Sequence, residues 1–313
     1  MRLDLLAALS GVLIAIQARA NGELADRIDN SLEAALVSFG SGLVIITIIA
    51  IFNPAIKEGL SNLRGAVARR EIARWKLLAG ALGGSFVAIQ TQIVPLIGVA
   101  IYSVASIAGQ TATSLLVDRI GLTGGGKKAI TGRRLGAATI TVIAVLVSVF
   151  DRIDAQNLSI IAVFLGFIAG AVVGFQRALN GQINEYSNQS FTTSLLNFIT
   201  GTAFLVILIL MALVMGRTSF VALPPGPWWM YLGGTVGVIY IAFTSLIVQH
   251  LGVLTFTLFS VGGQLIGSLV IDLVSPTSAV SVSAYLVTGI VMTYVGVIAG
   301  GVGGSRTQRP MKR

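Results

Sequence analysis

Apolar runs of membrane-spanning length fill most of this 313-residue chain. Charged residues make up only 11% of the sequence, against about 25% in an average soluble domain, and they cluster in short windows between the runs. Each run is about 20 residues long, which as a helix is enough to cross the hydrocarbon core of a bilayer. Because backbone groups in lipid must be hydrogen-bonded within their own segment, such runs fold as helices. The sequence therefore predicts an all-α integral membrane protein.

Ten transmembrane helices are predicted, joined mostly by short loops. They cover approximately residues 3–22, 32–52, 75–94, 98–118, 133–150, 158–178, 191–215, 229–248, 253–272 and 283–303. The longest loop, from Asn53 to Arg74, is rich in Lys and Arg. Its apolar residues recur at helical spacing, so it is either an amphipathic helix on the membrane surface or a solvated basic loop.

The basic residues are distributed unequally between the two sides of the membrane. Alternation from the N-terminus puts most of the 21 Lys and Arg residues on the side of both termini. The other side receives Arg19, Arg27, Arg152 and Arg217. Because loops rich in Lys and Arg remain in the cytoplasm, we predict cytoplasmic N- and C-termini. The same rule accounts for the net charge of +9 without nucleic acid as a partner.

The sequence also repeats internally. Residues 159 positions apart match at the end of the first and sixth spans, and residues 154 positions apart match in the fourth and ninth. The matched polar residues are Gln17, Asn21, Ser106, Gln110, Ser114 and Asp118 in the first copy, and Gln176, Asn180, Ser260, Gln264, Ser268 and Asp272 in the second. The fifth and tenth spans align poorly, and their register is left open.

The repeat predicts two halves of opposite topology. Each half holds five spans, so the second copy enters the membrane from the opposite side, in a 5+5 inverted repeat. We place the first repeat at residues 1–152, the second at 153–304 and a basic cytoplasmic tail at 305–313. The first run, with a basic residue before it and Ala-Arg-Ala near its end, also resembles a signal peptide. We expect it to be retained, because its Gln-Asn-Gly pattern recurs within the sixth span.

The two halves resemble a known family of transporters. Each opens with Gln-x-x-x-Asn-Gly and carries Gly-Gln-x-x-x-Ser-Leu-x-x-Asp in its fourth helix, as at residues 109–118 and 263–272. This pattern is similar to the YdcZ-type family of the drug/metabolite transporter (DMT, EamA-like) superfamily. The resemblance implies a ten-helix transporter of the bacterial plasma (inner) membrane and an exporter. It implies no particular ligand.

A transport function also follows from the architecture. Inverted repeats are typical of secondary transporters, whose substrate sites lie near the midplane between the repeats. We predict export of a small polar or amphipathic metabolite or drug by alternating access, with a channel or lipid scramblase as the alternative. An intramembrane enzyme would need clustered acids, histidines or a Ser/His pair, and the chain has one histidine. We therefore predict no catalysis and no cofactor or metal. The expected partners are a small-molecule substrate and membrane lipid. The protein is expected to be a monomer or a homodimer.

The repeated polar residues are the candidate site. Three of them in each copy, four residues apart, form a stripe on one helix face: Ser106, Gln110 and Ser114, and Ser260, Gln264 and Ser268. Each stripe either joins helices through hydrogen bonds or lines a hydrophilic cavity. The Gln and Asn residues of the first and sixth spans precede glycine, which suggests helix ends capped by a left-handed glycine, or they line the cavity entrance; these are Gln17, Asn21, Gln176 and Asn180.

Charged residues are expected at the edges of the membrane. Asp118 and Asp272 end their predicted spans on opposite sides, so each is either an interfacial carboxylate, paired or hydrated, or a gate or proton-coupling group. We expect Arg177 to snorkel to the cytoplasmic boundary; contact with an anionic ligand is the alternative. With no charge near the centre of any predicted span, the cavity should be neutral and polar, and should select weakly for ligand charge.

Overall fold

The computed structural model describes residues 3–122, 127, 129–148, 150, 158–251, 253–275 and 282–301, and within them every regular element is helical. The helices are α1 (Leu3–Ile28), α2 (Ser31–Phe52), α3 (Pro54–Ala68), α4 (Ala79–Ile120), α5 (Gly132–Ser148), α6 (Leu158–Ser187), α7 (Ser190–Val214), α8 (Gly233–Leu251), α9 (Val253–Val274) and α10 (Ala284–Gly301). Short 3-10 turns, Arg74–Leu78 and Trp228–Leu232, precede α4 and α8.

Helix α4 is a hairpin of two helices and not one rod. Gly98 interrupts it with φ 75° and ψ 169°, a conformation that only glycine adopts readily. Gln90 and Tyr102 lie 12 residues apart, or about 18 Å along a straight helix, yet the Gln90 amide donates to the Tyr102 hydroxyl at 3.5 Å. We name the arms α4a (79–97) and α4b (99–120). They correspond to the third and fourth predicted spans.

The basic loop forms an amphipathic helix, α3. Pro54 occupies its first turn, and the Asn53 side chain caps it by accepting from the backbone N–H of Ala55. Its apolar face packs against protein, because the buried Leu63 contacts a cluster that contains Leu179 and Ile183 of α6. Of the two predictions for this segment, the amphipathic helix is right and the solvated loop is wrong.

Helices α1 and α6 continue past their Asn-Gly pairs, so the predicted glycine caps are wrong. Both turns occur further along the chain, at Asp29 and Asn188, which are 159 residues apart and share φ 54°. The next residues, Asn30 and Gln189, cap α2 and α7 with their side chains. The two repeats therefore use the same turn. In each, a short polar residue adopts the left-handed conformation.

The first helix of each repeat packs tightly on the fourth helix of the other. A Cβ on Gly11 of α1 would overlap the carbonyl oxygen of Ser260 on α9, and a Cβ on Gly170 of α6 would overlap that of Ser106 on α4b. Small residues let membrane helices approach to backbone contact. The close contacts α1–α9 and α6–α4b are equivalent under the repeat, so each half is held by the other.

Most of the described helices have an apolar composition that is typical of membrane proteins. Six helical stretches are long and apolar enough to cross it, and α5, α9 and α10 contribute shorter apolar segments. One of the six, Arg74–Ile120, contains both arms of the α4 hairpin. The count of ten spans remains a prediction. The predicted boundary between the repeats, at residues 152 and 153, and the tail at 305–313 lie outside the described residues.

Candidate functional site

A small cavity between the repeats is lined in equal parts by both. Each lining residue of the first repeat has its equivalent from the second repeat in the same wall. The pairs are Gln17 and Gln176, Phe39 and Phe198, Gly83 and Gly237, Phe86 and Tyr240, and Val87 and Ile241. Residues that are equivalent in the two repeats thus converge on one point, as they would around a pseudo-two-fold axis.

The cavity is almost filled by side chains in this structure. The cavity volume is about 20 Å³, room for about one water molecule, whereas ligand sites usually measure about 300–1,000 Å³. The rings of Phe39 and Phe198 meet in it with their centroids 5.1 Å apart. A substrate would have to separate these rings.

Two of the predicted site residues, Gln17 and Gln176, lie in the cavity wall. The Gln176 amide donates to the side-chain oxygen of Asn197 at 2.9 Å, and the Gln17 amide donates to the carbonyl oxygen of Gly233 at 3.3 Å. Gly83 and Gly237 provide the space for these amides, because a Cβ at either position would collide with the facing glutamine. The glutamines are therefore pre-positioned polar groups in an otherwise apolar wall.

The two predicted asparagines are buried and join helices. Asn21 donates to the side-chain oxygen of Gln90 on α4a at 2.9 Å. Asn180 accepts from the amide of Asn197 on α7 at 2.7 Å. Neither lines the cavity, so the asparagines have neither of the roles that the sequence suggested and instead bond one helix to another.

The polar stripes are also buried, and none of their residues lines the cavity. Ser106 accepts from the Gln110 amide at 2.9 Å, and Ser114 donates to the Gln110 carbonyl oxygen at 2.6 Å. In the second copy, Ser260 and Ser268 bond to backbone carbonyl groups three residues earlier on their own helix. No described residue donates to the side-chain oxygen of Gln264.

Arg177 does not snorkel to the membrane boundary as expected: it is a buried charge, although the residues that line the cavity are all neutral, as predicted. Its side chain is 1% exposed and lies inside α6, which continues to Ser187. The guanidinium donates to the Gln110 side-chain oxygen at 2.6 Å, to the Thr257 hydroxyl at 3.2 Å, and to the Tyr240 hydroxyl at 3.0 Å from Nε and 2.8 Å from Nη2. It also lies 4.9 Å from the ring centroid of Phe256, within range of a cation–π interaction.

The described residues that contact the Arg177 guanidinium are all neutral. Among the described residues the ion pairs are Arg19–Glu23, Arg27–Glu23 and Arg69–Glu71. Arg19, on the equivalent helix of the first repeat, thus contacts a carboxylate at 2.8 Å, whereas Arg177 contacts an amide, two hydroxyls and aromatic rings. Because Tyr240 contacts both the cavity and this guanidinium, the positive charge lies directly behind the cavity wall.

The two predicted gate carboxylates are buried, with Asp118 1% and Asp272 2% exposed. Asp272 on α9 accepts from the backbone N–H groups of Val99 at 3.3 Å and Ala100 at 2.8 Å. These groups start α4b, so Asp272 caps a helix of the other repeat, where a carboxylate also interacts favourably with the helix dipole. Neither carboxylate is the hydrated interfacial group that its place near a helix end suggested.

Comparison with known proteins identifies the family. The family model described as "Putative inner membrane exporter, YdcZ" matches residues 3–147 and again 161–299. The chain belongs to the YdcZ family. The two matched segments correspond to its two fused repeats, and membership makes it a multi-pass inner-membrane protein of an exporter family.

A solved structure shares the fold of this member of the family. A crystal structure described only as "Crystal structure of protein" aligns over 98% of both chains, with a TM-score of 0.60 and 14% sequence identity. At that identity the likeness concerns the fold alone. No curated protein sequence matches the chain.

Sequence reasoning missed how this chain surrounds its buried arginine. Tyr240 and Phe256 are conspicuous in the sequence only as aromatics, and Thr257 not at all. The available signal was Arg177 itself, an arginine next to a repeated glutamine where the first repeat has Ala18. A charge added to one copy of a repeat, inside an apolar run, indicates a special role.

Proposed function

We propose that this YdcZ-family protein is a secondary transporter that exports a small polar or amphipathic molecule by alternating access. The observation that carries the proposal is the cavity wall, which consists of five equivalent pairs of residues from the two repeats. If the repeats are inverted, exchanging their conformations opens the same cavity to the other side of the membrane. The cavity of about 20 Å³ is too small for such a substrate and would have to widen during the cycle.

The carboxylates Asp272 and Asp118 are suited to act as gates. Asp272 ties the end of α9 to the start of α4b in this structure. The repeat predicts the same role for Asp118 at the start of α9, on the opposite side of the membrane. Opening one side would release one cap while the other holds, so the two caps would alternate.

Loop contacts agree with the predicted topology. Arg19 bonds to Ser275 at 2.9 Å and Asn30 to Thr218 at 2.8 Å, and the ten-span alternation assigns all four to the outer side. Lys76 and Gln182, assigned to the inner side, bond at 2.7 Å. These contacts support the alternation because a missed span would put bonded residues on opposite faces.

The absence of native cysteine gives a direct test by thiol labelling. Val87→Cys and Ile241→Cys place single thiols at equivalent positions in the cavity wall. Alternating access predicts that a membrane-impermeant maleimide labels both from either side, in right-side-out and in inverted vesicles. Val295→Cys, on the exposed face of α10, is the matched control and should resist labelling because the aqueous reagent does not reach a side chain in lipid.

Proteoliposome counterflow separates a carrier from the alternatives. A carrier exchanges labelled for unlabelled substrate, saturates and accumulates label transiently against its gradient. A channel equilibrates without counterflow, and a scramblase moves labelled lipid between leaflets. Labelling of both thiols from one side only, or flux without counterflow, would refute alternating access.

A further inference from the structure

Within the described part of the chain, no carboxylate pairs with the guanidinium of Arg177. Arginine stays protonated in proteins, and neutral acceptors recover only part of the hydration that a buried cation loses. Its acceptors are the Gln110 amide and the hydroxyls of Tyr240 and Thr257. These neutral acceptors therefore fix the position of the guanidinium but do not neutralise its charge. An anion bound beside it would be stabilised by that charge.

The fold of a repeat does not require this arginine. The equivalent of Arg177 in the first repeat is Ala18, whose helix makes the same close contact with the fourth helix of the other half. The equivalent of Gln110 is Gln264, whose side-chain oxygen receives no hydrogen bond from any described residue. One copy thus packs without the cation, so its presence in the other copy points to a ligand.

The contact with Tyr240 marks the place that the ligand would take. A single hydroxyl oxygen accepts from both Nε and Nη2 of Arg177. The same pair of N–H groups binds the two oxygens of a carboxylate in a bidentate pair, which is shorter and stronger than neutral hydrogen bonds. Phe86, the equivalent of Tyr240, has no hydroxyl, so this oxygen is present only beside the arginine.

We propose that Arg177 binds the carboxylate of a transported organic anion, which displaces the Tyr240 hydroxyl from the guanidinium. The inference rests on the proposed transport function and specifies its substrate class. The apolar body of the anion would separate and contact the rings of Phe39 and Phe198, which now close the cavity. Gln176, adjacent to the arginine and already in the wall, would bond to polar groups on that body.

Matched compounds that differ only in charge test the substrate class. The melting temperature of the detergent-purified protein is measured with benzoate, benzamide and benzylamine, and with indole-3-acetate, indole-3-acetamide and tryptamine. We expect the acids to raise the melting temperature more than the amides or amines. Arg177→Gln should weaken acid binding by about 10–100-fold, as expected for lost charge-assisted hydrogen bonds.

Two further variants make the test specific. Arg19→Gln removes the same charge from the equivalent helix, where Glu23 keeps Arg27 as a partner, and should leave acid binding unchanged. Arg177→Lys keeps the charge but not the fork, and should retain the preference for acids at lower affinity. It also decides the question if Arg177→Gln does not fold.

Each result has a definite meaning. Stabilisation by amides or amines as strong as that by the acids, or acid binding that survives Arg177→Gln, overturns the inference. If no acid stabilises a protein that shows counterflow, the anion assignment is wrong and transport stands. If acids bind through Arg177 but labelled acid shows no counterflow, the binding site stands and the proposed transport fails.

Discussion

Asp272 connects the two repeats through a single carboxylate. Its two oxygens accept from the first two N–H groups of α4b, groups that have no partner within their own helix. The bend at Gly98 creates this buried helix start, and the carboxylate that caps it comes from α9. A residue near the end of one helix therefore stabilises the beginning of another, across the boundary between the repeats.

Removing this cap should destabilise the closed form. We expect Asp272→Ala to lower the free energy of unfolding by about 1–2 kcal/mol, the usual range for a lost helix cap, while Asp272→Asn, which keeps one acceptor, should lose less. Thermal unfolding in detergent measures both, with the exposed Asp26→Ala as the control. Equal melting temperatures for Asp272→Ala and wild type would contradict the capping role.

Proton coupling is a separate question about the same carboxylates. If the caps take up protons as they open, Asp118→Asn and Asp272→Asn should abolish transport driven by a pH gradient while counterflow persists. Uptake in proteoliposomes under an imposed pH gradient measures this. Full pH-driven transport by both variants would leave Asp118 and Asp272 as structural gates only.

At the level of single residues, the sequence identified the important side chains more reliably than it located them. The repeat singled out Gln17 and Gln176, which line the cavity, but also the serine stripes, which do not. Arg177 was placed at the boundary because its predicted span ended one residue later, whereas α6 continues for nine more. Such helices continue because partners on other helices satisfy their polar side chains, and a single sequence does not reveal those partners.

Individual helices followed from hydrophobicity alone. The predicted and observed segments agree closely for α2 and α7, where a polar N-cap, Asn30 or Gln189, precedes the apolar run. The α4 hairpin was also predicted as two spans, because Pro95 and Gly98 interrupt the run. What the sequence could not show is the pairing of helices, since contacts such as α1–α9 join segments about 250 residues apart.

Glycine contacts between these helices should be intolerant of larger side chains. We expect Gly170→Leu to separate α6 from α4b and to destabilise the protein by about 1–3 kcal/mol, as overpacked cores do. Gly40→Leu on α2, where nothing lies within 4 Å of the new Cβ, should have little effect. The two variants are compared by their monodispersity in detergent and by their melting temperatures. Equal values for Gly170→Leu and Gly40→Leu would contradict the close packing of α6 on α4b.

For the whole molecule the strongest prediction concerns orientation. The excess of Lys and Arg on one side predicts that both termini are cytoplasmic. A fluorescent protein fused after Arg313 should therefore fluoresce, while alkaline phosphatase at the same position should be inactive. A fusion truncated after Arg217 should show the reverse, and the same result at both positions would mean an error in the span count.

The internal repeat was the most informative feature of the sequence for the whole molecule. Offsets of 159 and 154 residues correctly paired the residues that meet in the cavity. They could not reveal that the cavity is closed, because that depends on the conformation and not on the fold. The offsets also emphasised residues that the two repeats share, whereas the buried charge, Arg177, occupies a position at which the repeats differ.

That difference has a consequence for stoichiometry. Two identical subunits around a two-fold axis would carry either no central arginine or two, and two guanidinium groups near one axis would repel each other. Fusing the copies into one chain removes this constraint, so that Ala18 and Arg177 can occupy equivalent places. A fused chain can carry an odd number of charges at its centre, which would suit the proposed transport of one singly charged anion per cycle.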